Sequence, residues 1–517
     1  MLSGIFMYNY FQVSLPCENN SILNEGISVQ NRFFNFREYA GQPKYLSIVF
    51  FVLGVSAAAF ALIGIVFYLR YTPPKNVLIE IPILLISLSA FFVNIILLFC
   101  TGNSSADSRR QNILVTILVW TAIIYFFNGV LPRINWRKME WQAAQVIPNE
   151  AMAGMDFESG LYNPAKAILE GEGSHFTNYP PVVTLLAMPL TYFTLWRAYI
   201  IFLTLLYITN IAAVVVANLL AGEISEKGQG LSWEIAGMVT MYTLTSYGLF
   251  FGLKNGNYDV FPSFFAVLGI FFLVRFPEKI WLSTLFLSLA THLKVYPGIL
   301  FLLLIWRYGL KSIVPLFIIN IGLFLSLGFD RMVEFFAQLG PYVSNPFITV
   351  KNSSAISFAE HLILNGVSLD KSLLTGIFIA IPVLIWLGSA FFIYRKGFDN
   401  LGVLWYFVVS FGPMFALPAV SHDYKLVILS APLVLALFRM AETYARTGSA
   451  LAAIIIILFM VTAIFIHRSV FDSTILYFQN KYCSVLAFQI LGAWGMYTDF
   501  SSQKQILSEN IPRRQSI

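Results

Sequence analysis

Asp156 stands in Met155-Asp156-Phe157-Glu158-Ser159-Gly160-Leu161-Tyr162-Asn163-Pro164, a polar stretch soon followed by Asn178-Tyr179-Pro180-Pro181 and set between long apolar runs. A carboxylate held beside a bilayer can accept a proton from an acceptor hydroxyl. It can equally be a solvated loop acid or a helix-end partner for Lys166, and Glu158 is the nearest rival for the role of base. Lys294 lies in Thr291-His292-Leu293-Lys294-Val295-Tyr296-Pro297, a break between two apolar runs. A lysine at membrane depth costs ~2.5–3.5 kcal/mol unless it lines a wet cavity, pairs with an anion or snorkels outward. A phosphate ligand and a snorkelling helix-end cation are both open readings. Ser421-His422-Asp423-Tyr424-Lys425 places cations and an acid in one turn, where His422 could bind or protonate a phosphate oxygen or Asp423 could pair with Lys425. Lys254-Asn255-Gly256-Asn257-Tyr258-Asp259 is a turn signal whose amides also suit sugar hydroxyls. Lys351-Asn352-Ser353-Ser354 adds a polar segment that could line an acceptor path.

The elements that position these residues must sit in lipid. The chain is 58% hydrophobic and 11% charged, against about 25% charged in a soluble domain, and its mean hydropathy is +0.74. Its 49 Phe, 25 Tyr and 10 Trp suit interfacial aromatic belts. The net charge of +6 is dispersed through loops, so it reads as topology and attraction to lipid, with no nucleic-acid surface. Three cysteines, Cys17, Cys100 and Cys483, form neither metal spacing nor a disulfide framework. No Walker, Rossmann or zinc motif occurs, and basic residues can stabilise a departing monophosphate without a metal, so no metal and no cofactor are expected. The segment before residue 45 lacks the pattern of a cleavable signal peptide.

A membrane span needs roughly 20 apolar residues. Such runs occupy 45–70, 78–100, 111–131, 196–220, 232–251, 258–275, 312–328, 372–394, 401–419, 425–441 and 450–466. The run 280–306 is long enough for two short passes, and 483–498 is a weaker candidate. The fold expected is therefore all-α and polytopic, with about eleven to fourteen transmembrane helices and short interfacial helices in extracytoplasmic loops. Basic clusters at Arg109-Arg110, Arg275 with Lys279, Arg307 with Lys311, Arg395-Lys396, Arg439 with Arg446, and Arg513-Arg514 fall on one side if the passes alternate. By the positive-inside rule that side is the cytoplasm, and the segments 132–195, 252–258, the break at Lys294, 329–371 and 420–425 face outward. In the loop 132–195, Trp136 and Trp141 suit an interface. Asn163 and Pro164 read as the start of a helix ended by Gly171 or Gly173, with Asp156 just ahead of it. The run Val182 to Phe193 is too short to cross and should pack at the head of the next span.

Taken in order, these pieces resemble the polyprenol-phosphate-dependent alpha-mannosyltransferase family of the GT-C glycosyltransferase superfamily. The pieces are Asp156-Phe157 with Tyr162, Tyr179-Pro180-Pro181 with Pro189, Asn255-Gly256-Asn257, Leu293-Lys294 with Pro297, Asn352-Ser353-Ser354, and His422-Asp423-Tyr424. The similarity runs from about 111 to about 440. It divides the chain into an N-terminal segment with two extra spans (1–110), a GT-C-like catalytic unit (111–440) and C-terminal spans with a basic tail (441–517). Those two extra spans depart from the family's order, as does Asn255-Gly256-Asn257 where a Gly-Gln-x-Asn type of sequence is expected. The resemblance implies inverting transfer of a hexose, mannose first, from a polyprenyl-phosphate donor to a lipid or glycan acceptor at the outer face of the plasma membrane. It implies that Asp156 is the base. Glu158, Tyr162, Tyr179, Asn257, Lys294, His422 and Lys425 are the expected substrate-binding residues.

Two other readings stay open on composition. One is a multi-span transporter or lipid flippase, which shares the broken helix and the intramembrane polar residues but commonly carries matching halves; no second half is visible here. The other is a related enzyme moving a different sugar from the same type of carrier.

Overall fold

The computed structural model describes residues 105, 106, 109, 112, 113, 116, 154–171, 179–225, 240, 243, 244, 246–344, 352–364, 366–397, 399–462 and 481–509. The runs expected to span at 45–70 and 78–100, and nearly all of 111–131, lie outside the described residues, as do Asn178 and Lys351. Everything described is helical or connecting. Among the described residues the only β pairing is one isolated antiparallel bridge between Asn352 and His422. Among the described residues four stretches are long and apolar enough to cross a membrane: Leu195–Ile224, Tyr296–Phe324, Lys371–Lys396 and Asp423–Thr447. The protein is an all-α polytopic membrane protein.

The chain opens with α1 (Met155–Phe157), a π turn (Glu158–Tyr162) and α2 (Asn163–Leu169) in one uninterrupted helical run. Gly171 ends it at φ 72°. After Tyr179-Pro180 come α3 (Pro181–Ala187) and a 3-10 turn (Met188–Tyr192), which pack against α2 as expected for a segment too short to cross. The long α4 (Leu195–Ile224) follows. The expected span 232–251 is not one helix: helical residues reach Leu244, the chain extends at Ser246, and α5 (Tyr247–Asn255) starts afresh. The cause is local, since Ser246 accepts the Leu249 N–H through its side chain as an N-cap. Next are α6 (Val260–Arg275), α7 (Ile280–Leu293), a 3-10 turn (Tyr296–Leu300), α8 (Phe301–Tyr308) and α9 (Ile313–Phe324). Gly309, at φ 58°, turns the chain between α8 and α9. The rest comprises α10 (Phe329–Ser344), α11 (Ala355–Leu364), α12 (Lys371–Lys396), α13 (Asn400–Ala416), a 3-10 run (Asp423–Leu429), α14 (Ser430–Thr447), α15 (Ala450–Thr462) and α16 (Tyr482–Glu509).

The bundle forms around α13. Every residue from Leu401 to Ala416 is buried, as suits a helix apolar on all sides. It is packed by α12, α14 and α16. A second layer sets α6 between α4 and α7. Outward faces stay apolar, with Phe317 and Ile318 on α9 and Leu384 and Phe391 on α12 exposed. Lipid is the solvent for such faces. The helix α10 is amphipathic in the manner of an interfacial helix: Phe335 is buried beside Phe324 while Phe329 and Phe336 lie exposed.

Two carbonyls lack a helical partner, and in each case a tyrosine takes it. Pro382 inside α12 frees the Phe378 carbonyl, which accepts from the Tyr482 hydroxyl at the head of α16. The Leu293 carbonyl is left open because α7 ends there with Lys294 extended, and it accepts from Tyr258 at 3.0 Å. The helices also lock through a buried ion cluster. Asp499 on α16 accepts from Arg439 at both oxygens, from Trp405 Nε1 and from Thr443, at 3.0–3.1 Å. Arg439 continues to Glu442, which holds Ser225 at the end of α4. Removing one partner from a fully buried pair leaves the other charge uncompensated, at a cost of about 3–5 kcal/mol. Asp499→Ala is expected to lower the unfolding temperature sharply in detergent, as measured by intrinsic fluorescence; an unchanged transition would show that the cluster is not the lock.

Candidate functional site

Two glycines set the site's geometry. Gly154 lies so close to the α5 terminus that a Cβ there would come within 2.3 Å of the Gly256 nitrogen. Gly256 itself adopts φ 70°, the left-handed conformation that ends α5, and a Cβ on it would meet the Phe157 Cβ at 2.5 Å. Only glycine at both places permits two backbones to touch in this way. The contact seats α1 on the turn 255–257, and Asn257 Nδ2 then donates to Asp156 Oδ2 at 2.9 Å. The other end of the same amide is engaged as well: Asn257 Oδ1 accepts the Asp259 N–H at 3.1 Å. Asn257 thus brackets two carboxylate-bearing residues.

Asp156 belongs to the helix. The sequence places a helix start at Asn163 with Asp156 ahead of it, whereas the helix begins at Met155 and continues through the π turn. Asp156 therefore sits in the first turn, where a negative charge faces the positive end of the helix dipole. Its half-buried carboxyl is nevertheless raised above the ordinary carboxylate value. Burial is the main cause, the Asn257 amide and the charge of Lys294 oppose it, and the charge of Asp259 adds to it. Lys166 pairs with Glu170 instead, at 3.6 Å.

Lys294 leaves α7 in extended conformation. Its ammonium lies 4.0 Å from Asp259 Oδ2, over the rings of Tyr258 (4.6 Å) and Tyr179 (4.7 Å), with Tyr424 at 5.9 Å. Its side chain keeps 16% exposure, whereas that of Asp259 keeps 1%. Asp259 accepts from the Tyr296 hydroxyl at 2.7 Å. Over the Tyr296 ring, Lys425 Nζ lies 4.8 Å from the centroid and donates to Ser421 Oγ and the Val420 carbonyl. The Tyr179 ring also packs on Gly160 in the π turn, so the turn and the lysine share one aromatic wall.

A polar wall adjoins this floor. Asn352 pairs with His422 through the β-bridge and accepts the Ser421 N–H at 2.8 Å. Asp423 accepts from Tyr247 at 2.9 Å and from Ser353 at 3.2 Å, and Ser353 in turn accepts the Lys481 N–H at 3.0 Å. The His422 ring stands 5.3 Å from Tyr424, the same ring that approaches Lys294.

Of the residues singled out in the sequence, Asp156, Asn257, Lys294, Tyr179 and Lys425 come together, and His422 joins them through Tyr424. Two do not enter this network. The Tyr162 hydroxyl donates to the Phe193 carbonyl and ties the helical run to the head of α4. Glu158 lies in the π turn two positions beyond Asp156, a spacing that does not share a helix face. Asp259, Tyr258, Tyr296 and Tyr424 were missed as site residues. Asp259 did carry a signal, an acid at the head of an apolar helix. Among the described residues no three His, Cys, Asp or Glu side chains gather closely enough to hold a metal ion.

Residues 176–418 match the sequence model of glycosyltransferase family 87, a GT-C-like family. The matched span holds Tyr179, Asn257, Asp259 and Lys294, and ends short of Asp156 on one side and His422 on the other. No curated protein matches the chain. The family match indicates a membrane glycosyltransferase and favours an enzyme over the transporter reading.

Gly154→Ala and Gly256→Ala are each expected to push α1 off the turn and to lower transfer about 100-fold, the scale of a 1 Å misplacement of a reacting group, while the purified protein still elutes as a folded species. Normal turnover in both would mean that the Asn257–Asp156 bond does not matter.

Proposed function

We propose that the protein transfers a hexose, most plausibly mannose, from a polyprenyl-phosphate carrier to a hydroxyl of a lipid or glycan acceptor at the extracytoplasmic face of the plasma membrane, with inversion. The observation that carries the reading is that Asp156, held by Asn257, lies within reach of the charge of Lys294, whose ammonium rests on the Tyr179 and Tyr258 rings. A base and a cation at one end of a helix bundle are the two groups that direct displacement from a sugar phosphate needs.

The carrier's apolar chain stays in lipid among the outward faces of the bundle, and its phosphate reaches Lys294. Asp156 takes the proton from the acceptor hydroxyl as that oxygen attacks the anomeric carbon. The bond from this carbon to the phosphate oxygen breaks on the opposite side, and the electron pair leaves with the polyprenyl phosphate. Lys294 stabilises the charge that grows on the departing oxygen, with Lys425 or His422 behind it. A phosphate leaving group needs no protein acid of the glycosidase kind. Tyr179 forms the wall beside the sugar. Glu158 and Tyr162 take the acceptor side, Tyr162 by fixing the helix and Glu158 from its partly exposed place in the π turn. The distribution of basic residues among the loops supports an outer location, on the positive-inside rule.

The test is transfer from polyprenyl-phosphate-mannose by the purified protein in liposomes, against a panel of lipid and saccharide acceptors. Asp156→Asn is expected to abolish turnover while leaving the fold and donor binding intact; retained activity would remove Asp156 as base. Lys294→Ala is expected to raise the donor KM at least tenfold, and an unchanged donor dependence would count against its phosphate role. The pH dependence has a definite sign. A base must be ionised, and burial raises the Asp156 carboxyl, so activity should fall with decreasing pH at a point above the usual carboxylate range. Asn257→Ala removes a group that lowers the Asp156 value and should move that acid limb to still higher pH.

A further inference from the structure

Asp259 makes an uneven set of contacts. Its side chain is 1% exposed. One carboxylate oxygen accepts from Tyr296 at 2.7 Å, while the other has no hydrogen-bond partner and lies 4.0 Å from the Lys294 ammonium; the Lys425 ammonium also interacts with the Asp259 charge. A buried carboxylate with one unsatisfied oxygen is costly, and 4.0 Å exceeds the 2.7–2.9 Å of a charge-assisted hydrogen bond. The lysine is therefore shared: held near Asp259, but not drawn fully onto it, over the Tyr258 and Tyr179 rings that open toward the site. The Asp259 backbone N–H also fixes the oxygen end of the amide whose nitrogen end holds Asp156.

We propose that Asp259 is a positioning residue of the transferase: it is the resting counter-ion of Lys294 and, through Asn257, one end of a rigid unit that sets the charge environment of Asp156. This inference rests on the reading of Asp156 as base and Lys294 as phosphate ligand. Before the donor binds, Asp259 balances the charge of Lys294. A donor phosphate draws the ammonium toward itself, which leaves the Asp259 charge supported by the Tyr296 hydroxyl. Asp259 itself is too deeply buried to touch the donor. Its charge opposes ionisation of Asp156 and that of Lys294 favours it. The titratable and charged groups that interact with Asp156 are Tyr199 from α4, Tyr258 and Asp259 from the turn before α6, and Lys294 from the break, with Tyr179 packed on Lys294 and Tyr258.

The first experiment follows kcat/KM for polyprenyl-phosphate-mannose against pH. Asp259→Asn keeps the side-chain shape and removes the opposing charge, so the acid limb should move to lower pH by about half a unit or more. Lys294→Met should move it the other way. A limb that stays in place or rises in Asp259→Asn overturns the proposal, because a residue with only a packing role would not shift it downward. The second experiment needs no donor: a thermal-unfolding cycle of Asp259→Asn, Lys294→Met and the double variant. Each single change strands a buried charge, so the double variant should unfold at a higher temperature than either single one. It should also fold if Asp259→Asn alone does not. Additive losses overturn the pairing. Turnover retained by Asp156→Asn instead removes the reading on which the inference rests, while the unfolding cycle still reports on the Asp259–Lys294 pair.

Discussion

The site depends on two backbones touching without side chains between them. Where Gly154 meets Asn255 and Gly256, α1 descends far enough for a short amide to reach Asp156. A methyl group at either glycine would push the chains apart and pull the Asn257 amide away from Asp156. Everything else supports this contact. The Phe157 ring packs on Tyr199 and Phe202 of α4, and the Tyr199 hydroxyl donates to the Leu253 carbonyl at the end of α5. One aromatic residue thereby holds both partners of the glycine contact. Tyr258 ties the same turn to the end of α7 and so sets the separation between Asp156 and Lys294.

Electrostatics explains why so much aromatic surface surrounds a few charges. Lys294 and Lys425 lie on tyrosine faces that offer electron density without adding an ionised group. Rings can hold a cation in place and still release it to an anion, which a close carboxylate would not do readily. The Arg439–Asp499 cluster, several helical turns along α14 from the site, uses the opposite strategy: every oxygen of Asp499 is engaged at hydrogen-bond distance. The tight cluster suits permanent structure, and the loose one suits exchange with a ligand.

Much of this was legible in the sequence because lipid makes hydropathy informative: apolar runs gave the helices, and the breaks at Lys294 and the turn at 255–257 gave the points where polar chemistry gathers. The run 232–251 misled because hydropathy is blind to a single cap such as Ser246, which interrupts a helix without interrupting its apolar character. Asn163 misled in the opposite direction. It is a good cap by type, yet the π turn carries the helix through it from Met155. Asp259 escaped notice as a site residue because its role arises from a neighbour 35 positions away, Lys294, and no local spacing encodes that distance. Tyr258 and Tyr296 escaped for the same reason: a tyrosine whose hydroxyl serves the Leu293 carbonyl or the Asp259 carboxylate looks in sequence like any other aromatic belt residue.

The polar wall beside the site is fastened from three distant parts of the chain. Ser353 donates to Asp423, and the Lys481 N–H donates to Ser353, so residues on either side of α12 to α15 are joined by one hydroxyl. The Tyr482 hydroxyl, one residue on, supports the proline-broken α12. Synthesis therefore reaches every side chain of the aromatic floor, from Asp156 to Lys425, well before the wall can close. A nascent chain halted ahead of residue 481 would possess the whole chemical inventory and lack the strut that holds it in register. In this fold α16 acts as a clasp applied from far along the chain: the polar wall comes into register only once residues 481 and 482 have been made.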